Sequence, residues 1–437
     1  MELWLTLLII LAVLVVLLLV GMPIAFAFLV VNIIGVYVLW GGYIGLNQLI
    51  YSINTSVSSF ALIPVPMFIL MGEIMFHSGI GFQMMDALDK WIGRIPGRLG
   101  LLAVGGGTLF ASLSGVAMGS VAMLGSVLTP EMEDRGYKKP MSIGPILGSG
   151  GLAIMIPPSA LAVILATLGE FSIGRLLVAI IIPGFLLAVL YTLYIILRCA
   201  IQPSLAPSYD IAHTSLLEKI VVTLRYVLPL FSILFLVIGL IILGVASPTE
   251  AAAVGALGCC LLALIYGKLT WKVIKESVAA TLAITVMIFM ILTGSTAFSQ
   301  ILAFTGASQS LTEMAMGLSV PPIVLLMMMQ MVLIIMGMFI DQISMMMITV
   351  PIFMSIVKAL GWDPVWWGAI VCLNIEMGAT TPPFGVCLFV MKGVAPPDTT
   401  MGDIYRAAIP FLICDLIIMA LMMVFPQISL WLPGLMR

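Results

Sequence analysis

Apolar residues run along this chain in blocks of about 20, the length a helix needs to cross a bilayer core about 30 Å thick. The blocks fall at about 2–20, 22–40, 60–79, 141–168, 174–197, 227–244, 248–266, 278–297, 364–391 and 403–432. They predict an all-α polytopic membrane protein. Two further apolar stretches, about 99–129 and 320–357, are too long for one span. Each is interrupted near its middle by glycine, serine or aspartate. That pattern predicts a re-entrant helical hairpin, which enters and leaves the membrane on one side. The stretches 81–94 and 268–277 place Trp91 and Trp271 among lysines and arginines. They predict interfacial helices that brace a frame. The first block opens at Glu2 with no basic flank and no small-residue cleavage site, so it is expected to be a retained span.

Charge sets the sidedness. With the N-terminus outside and both hairpins returning to their side of entry, 14 of the 17 lysines and arginines fall on the cytoplasmic side; Arg175, Lys358 and Arg437 face outward. That is the positive-inside bias. A hairpin that crossed fully would flip the later segments and degrade it.

The chain also resembles itself. The first half reads E-D-R-G-Y-K-K-P, then I-P-P-S-A-L-A-V-I-L; the second reads K-A-L-G-W-D-P, then T-P-P-F-G-V-C-L-F-V. Gly136 and Gly361 are 225 residues apart, as are Pro157 and Pro382, and Pro183 and Pro410 are 227 apart. Each half holds three spans, a hairpin, a broken span and a final span. Five full spans is an odd number, so the second half is inserted upside down. Inverted repeats with interrupted helices are a signature of secondary transporters.

The interrupted places carry the candidate chemistry. The first tip reads Ser112-Leu113-Ser114-Gly115-Val116-Ala117-Met118-Gly119-Ser120, and the break facing it is expected at Gly148-Ser149-Gly150-Gly151, with Pro157-Pro158-Ser159 below. The second tip reads Gly337-Met338-Phe339-Ile340-Asp341-Gln342. Its facing break runs from Asn374 through Gly378, Thr380 and Thr381 to Pro382-Pro383. Unwound backbone at membrane depth is tolerated only where ions, water or protein satisfy it. Freed carbonyls and short hydroxyls make a hard-oxygen cage that suits Na⁺. On this reading Ser112, Ser114, Gly148, Gly151, Gly337, Asp341, Gly378, Thr380 and Thr381 are the metal candidates. Ser114, Gly115, Gly150, Pro158, Asn374, Thr381 and Pro382 are the substrate candidates. Asp341 is expected first to cap the second limb of its hairpin and second to contact the cation. Glu376 either lines the cavity or faces a scaffold helix. Glu73, Glu250 and Asp415 are candidates for structural or subunit contacts.

Composition narrows the class. The chain is 62% hydrophobic and only 8% charged, far from a soluble domain. A net charge of −2 gives no reason to expect nucleic acid. Six cysteines without a C-x-x-C pair read as apolar packing residues, and two histidines are too few for a haem or zinc site. No organic cofactor is expected, no glycine-rich ATP loop is present, and a membrane enzyme or electron carrier would need ligands this sequence lacks.

At the tips and breaks the chain resembles the large membrane subunit of the tripartite ATP-independent periplasmic (TRAP) transporters, the DctM-like family. S-L-S-G-V-A-M-G-S-V-A-M-L-G-S-V-L-T-P-E-M-E-D-R-G-Y looks like that family's first signature. G-M-F-I-D-Q-I-S and N-I-E-M-G-A-T-T-P-P-F-G-V-C-L-F-V look like its second. The resemblance implies an elevator that imports an organic acid by symport with Na⁺, two or more ions by the pairing of the hairpins. It implies a small four-helix membrane subunit, here expected as a separate chain, and a periplasmic solute-binding protein. It places the protein in a bacterial or archaeal inner membrane. Ser112, Ser114, Gly115, Gly337, Gly378, Thr380 and Thr381 fall where the family's sodium and substrate cavity lies, and Asn374 and Pro382-Pro383 match its motif. The expected division is scaffold at 1–98, transport domain at 99–168, scaffold at 169–319, transport domain at 320–391 and a C-terminal scaffold helix at 392–437. A stand-alone sodium–dicarboxylate or anion symporter would share this architecture.

Overall fold

The computed structural model describes residues 9–436, apart from 11, 15, 19, 94, 115–116 and 208–214, and leaves out the side chains of 110–114, 307, 308 and 311. The described residues form helices joined by turns and short irregular segments, with no β-strand among them. Among the described residues eight helices are long and apolar enough to cross a membrane, and a ninth span is made if the bent pair Lys139–Met155 and Ala160–Leu168 counts as one.

The interrupted elements form as helix pairs. Arg98–Ser114 and Ala117–Asp134 are the limbs of the first hairpin, and Pro322–Phe339 and Gln342–Ala359 those of the second. The broken spans are Lys139–Met155 with Ala160–Leu168, bent by 48°, and Pro364–Thr380 with Val386–Val394. Their breaks lie at the tandem prolines. Proline lacks an N–H and clashes with the preceding turn, so two in succession end a helix. Both proline pairs, Pro157-Pro158 and Pro382-Pro383, are joined by cis peptides.

Three sequence expectations change. The first break does not fall at Gly148–Gly151: the helix runs through them to Met155 and unwinds at 156–159. Side chains packed against the glycines hold that segment in place. The stretch 268–277 is not a separate interfacial helix. Thr270 caps it, and it continues into one 34-residue helix, Trp271–Phe304. Finally, 43–57, too rich in Asn, Gln, Ser and Thr to register as a span, folds as the helix Tyr43–Val57.

Two packing groups emerge. Trp271–Phe304 lies against Ile24–Leu39, Tyr43–Val57 and Pro64–His77, and Pro248–Ile265 joins Pro64–His77 to Leu228–Ile242. In the second group Lys139–Met155 packs between both limbs of the first hairpin and the helix Met401–Val424. It also crosses Pro364–Thr380, which lies along Pro322–Phe339. The final spans Ile181–Ile201 and Met401–Val424, which the sequence places with the frame, lie on the broken span Lys139–Met155 and on each other.

Polar stitches hold the end of the molecule that carries most of the basic residues. Arg98 donates two hydrogen bonds to the Asp89 carboxylate, at 2.9 and 2.6 Å, and one to the Asp89 carbonyl. Lys139 bridges Glu133 at 2.8 Å and Asp398 at 2.9 Å, and its ammonium holds the Asp398 carboxyl below its ordinary range. Glu73 pairs with His77 at 3.2 Å, and at the opposite end Glu250 completes a capping box with Ser247. Because the Arg98 side chain is buried, Arg98→Ala is expected to cost about 2 kcal/mol, the scale of charge-assisted hydrogen bonds. A thermal melt of the detergent-solubilised protein checks this.

Candidate functional site

The second tip is built around a close backbone contact. A Cβ on Gly337 would stand 2.8 Å from the Gly378 Cα, and one on Gly378 would stand 2.9 Å from the Gly337 Cα. Only glycine at both positions lets the end of the first limb touch the end of Pro364–Thr380. Further along, Asn374 donates from its amide to the carbonyl and the side-chain oxygen of Gln330, 2.9 Å each. Gln342 donates to the Ile375 carbonyl at 3.2 Å. The tip and the second break are therefore one rigid unit.

Asp341 caps the second limb. Its Oδ1 accepts from the Ile343 and Ser344 N–H groups at 3.1 and 3.0 Å, and its other oxygen accepts from the Ser344 hydroxyl. Two of the four orphan donors of a helix start are satisfied in this way. The same residue lines a cavity of about 650 Å³. Met118 from the first hairpin, Leu161 and Val386 from the two broken spans, and Asp341 and Gln342 from the second hairpin meet there. The opposing wall comes from the frame and includes Ile69, Ile284 and Ile291.

The breaks release buried backbone oxygens from their helical bonds. Pro382 and Pro383 remove the N–H groups that would bond the Gly378 and Ala379 carbonyls, and Pro157 and Pro158 do the same for Ala153 and Ile154. Gly378 regains only a 3.4 Å contact from the Thr381 N–H. The Ala379 carbonyl lies against Gly385, where a Cβ would stand 2.7 Å from it, while the Thr381 carbonyl accepts from the Gly385 N–H at 3.1 Å and is satisfied. Uncommitted carbonyls at membrane depth fit a hard monovalent cation such as Na⁺. Among the described residues, no group of three or more His, Cys, Asp or Glu is placed to hold a metal.

The other candidates sort by position. The hydroxyls of Thr380 and Thr381 turn back onto their own helix, donating to Met377 at 3.2 and 2.5 Å. Gly148 seats the Phe411 ring, Gly150 seats Val121, and Gly151 seats the Glu376 carboxyl, so these glycines serve close packing. Pro158 and Pro382 sit in the cis bends. The side chains of Ser112 and Ser114, and Gly115 itself, lie outside the described residues. Sequence reasoning placed Met118 in the first tip without a role and missed Leu161 and the frame wall, because no motif marks an apolar residue as cavity lining. It also missed a smaller cavity of about 330 Å³ with a polar wall, lined by Gln48, Ser52, Thr55 and Ser56 opposite Ser299 and Gln300. The excess of hydroxyl and amide side chains on Tyr43–Val57 was its one signal.

Two helical hairpins and two broken spans gathered on one cavity against a helical frame define a multi-pass membrane transport protein. The comparisons place it further. The chain belongs to the family described as "Tripartite ATP-independent periplasmic transporter, DctM component", whose sequence model matches residues 11–428. It is 31% identical to the C4-dicarboxylate TRAP transporter large permease protein of Pseudomonas aeruginosa, over 86% of each chain. It is 30% identical to the ectoine TRAP large permease of Halomonas elongata, over 96% of this chain and 97% of that one. It is also 30% identical to the sialic acid TRAP large permease of Vibrio cholerae, over 95% of each. In fold it is similar to the YdaH transporter of Alcanivorax borkumensis, with a TM-score of 0.65 over 89% of this chain and 90% of that one, at 16% identity. The chain is thus a large permease subunit of a secondary transporter and not an enzyme.

Proposed function

We propose that this permease imports an organic acid by symport with Na⁺ in a bacterial or archaeal inner membrane. A periplasmic solute-binding protein delivers the solute, and a small four-helix membrane subunit completes the complex. The observation that carries the reading is the convergence at the cavity. The second tip, Met118 of the first hairpin and the first turns after both breaks meet there, and the tandem prolines leave carbonyls of both broken spans without their helical donors. Cation and solute are bound together between the tips, so neither travels alone.

Movement follows from the packing. Both hairpins are re-entrant, as the charge bias requires, and the tips open to opposite sides. The hairpins and broken spans slide as an elevator against the frame. Because Ile181–Ile201 and Met401–Val424 lie on the broken span Lys139–Met155, we assign them to the moving body, which shifts the division expected from the sequence. The apolar cavity wall favours a solute with some apolar surface, its acid group turned toward the tips. The substrates named for the relatives, C4-dicarboxylate, ectoine and sialic acid, differ so widely that the permease cavity alone does not set the choice.

In proteoliposomes holding the permease, its small subunit and the loaded binding protein, uptake is expected only with an inward Na⁺ gradient. Equal uptake after replacing Na⁺ by K⁺ overturns the coupling. Purification of an active permease with no second membrane chain favours a stand-alone symporter.

A further inference from the structure

The polar cavity of about 330 Å³ shares three helices with the larger cavity at the second tip. On Ala160–Leu168, Leu161 lines the larger cavity and Thr167 the polar one. On Gln342–Ala359 the pair is Ile343 and Pro351, and on Trp271–Phe304 it is Ile291 and Ser299. At 1.5 Å per residue these offsets put the polar cavity about 9–12 Å further along all three helices. Trp271–Phe304 starts beside Lys268 and Lys272, so by the charge bias the polar cavity is the outer of the two. The remaining wall is Tyr43–Val57, which packs with the frame.

Five hydroxyls on this wall already donate to backbone. Thr55 donates to the Tyr51 carbonyl at 2.9 Å, Ser56 to Ser52 at 2.8 Å, Thr167 to Val163 at 2.8 Å and Thr296 to Leu292 at 3.0 Å. Ser295 donates across to the Met347 carbonyl at 3.1 Å. A hydroxyl carries one hydrogen and two lone pairs, so toward the cavity these five only accept. Gln300 Oε1 is buried without a hydrogen-bond partner and adds a further acceptor. The Ser52 hydroxyl is unpartnered too, on a residue 3% exposed. A buried polar group left unpaired is costly, so the wall is made to be met by something polar. Among the described residues lining the cavity, the one charged side chain is Glu170, which is exposed and stands at the mouth.

Size and charge select the occupant. A volume of about 330 Å³ exceeds what one cation fills and reaches the range of small-molecule sites, about 300–1,000 Å³. A simple di-acid would bring two anions to a wall of acceptors and a carboxylate, with no lysine or arginine among the described lining residues. An ammonium group brings three donors and a charge that Glu170 attracts. We propose that the outer cavity is a second solute site, entered before the cavity at the tip, and that it takes an acid which also carries an ammonium group. The ammonium donates to the hydroxyl lone pairs, and the Ser52 hydroxyl and Gln48 amide are the donors left for the acid group. The proposal rests on the reading of the chain as an importer of an organic acid, but not on Na⁺ coupling.

The test is a ligand-observed NMR titration of the purified permease complex in K⁺ buffer without Na⁺. The probes are 4-aminobutyrate, 4-hydroxybutyrate and succinate, which have equal carbon counts and differ at one end. 4-Aminobutyrate is expected to bind more tightly than the other two. Glu170→Gln, at an exposed position that folding tolerates, is expected to weaken it about threefold, the scale of an exposed ion pair. Ser52→Leu, which fills the cavity, is expected to weaken it about tenfold, on the scale of overpacking. Equal binding of the three probes, or 4-aminobutyrate binding that Glu170→Gln leaves unchanged, overturns the proposal. So does 4-aminobutyrate binding that appears only on adding Na⁺, which would place the probe at the tip. Uptake that runs equally in K⁺ overturns the Na⁺ coupling instead, and leaves the Glu170→Gln effect as the measure of the outer site.

Discussion

Asp341→Ala is expected to abolish uptake in proteoliposomes while leaving the protein folded. Losing a cap costs about 1 kcal/mol, which a helix packed along its length can absorb. The tip loses more in function than in stability. Asp341 fixes the first turn of the second limb through two N–H groups and the Ser344 hydroxyl, and among the described residues it is the one acidic group on the cavity wall. Asp341→Asn separates the two roles, since asparagine caps as well as aspartate but carries no charge. Retention of full uptake by Asp341→Asn would reduce Asp341 to a cap. Thr381→Ala probes the opposite side of the unit, and wild-type rates in both Asp341→Ala and Thr381→Ala would remove the site from this part of the molecule.

The second large effect falls on the contact between tip and break. Gly337→Ala and Gly378→Ala each push a methyl against backbone atoms at 2.8 and 2.9 Å. No flexible side chain is there to yield, so the tip must separate from the broken span. Overpacking of this kind costs about 1–3 kcal/mol, and here it also opens the cavity wall. Both variants are expected to melt earlier and to lose uptake. Gly393→Ala, which points into open space, is the control and should match the wild type.

Much of this architecture was legible because a bilayer demands long apolar helices and punishes any interruption. The hairpins and proline breaks could be read from that conflict alone. The errors have physical causes too. Glycines were taken as unwinding points, yet Gly148, Gly150 and Gly151 stay helical because Phe411, Val121 and Glu376 fill the space a side chain would occupy. The helix Tyr43–Val57 was hidden because its polar face lines a cavity rather than lipid. Asp341 could be picked out as a cap because capping is local. The hydrogen bonding of Tyr191 to Glu376 and Asp415 could not, because it joins positions 185 and 224 residues apart through tertiary packing. The same holds for the apolar cavity wall, whose residues look like ordinary span filler until the four elements are brought together.

The helix Trp271–Phe304 has a further consequence. At 1.5 Å per residue its 34 residues extend about 51 Å, against a hydrocarbon layer of about 30 Å. It joins the two halves of the chain and touches Ile24–Leu39, Pro64–His77 and the limb Gln342–Ala359. Unless it protrudes far into water, such a helix lies as a diagonal strut. Lipids with longer or shorter tails change its slant, and with it the spacing of the helices Ile24–Leu39, Pro64–His77 and Gln342–Ala359 that it touches.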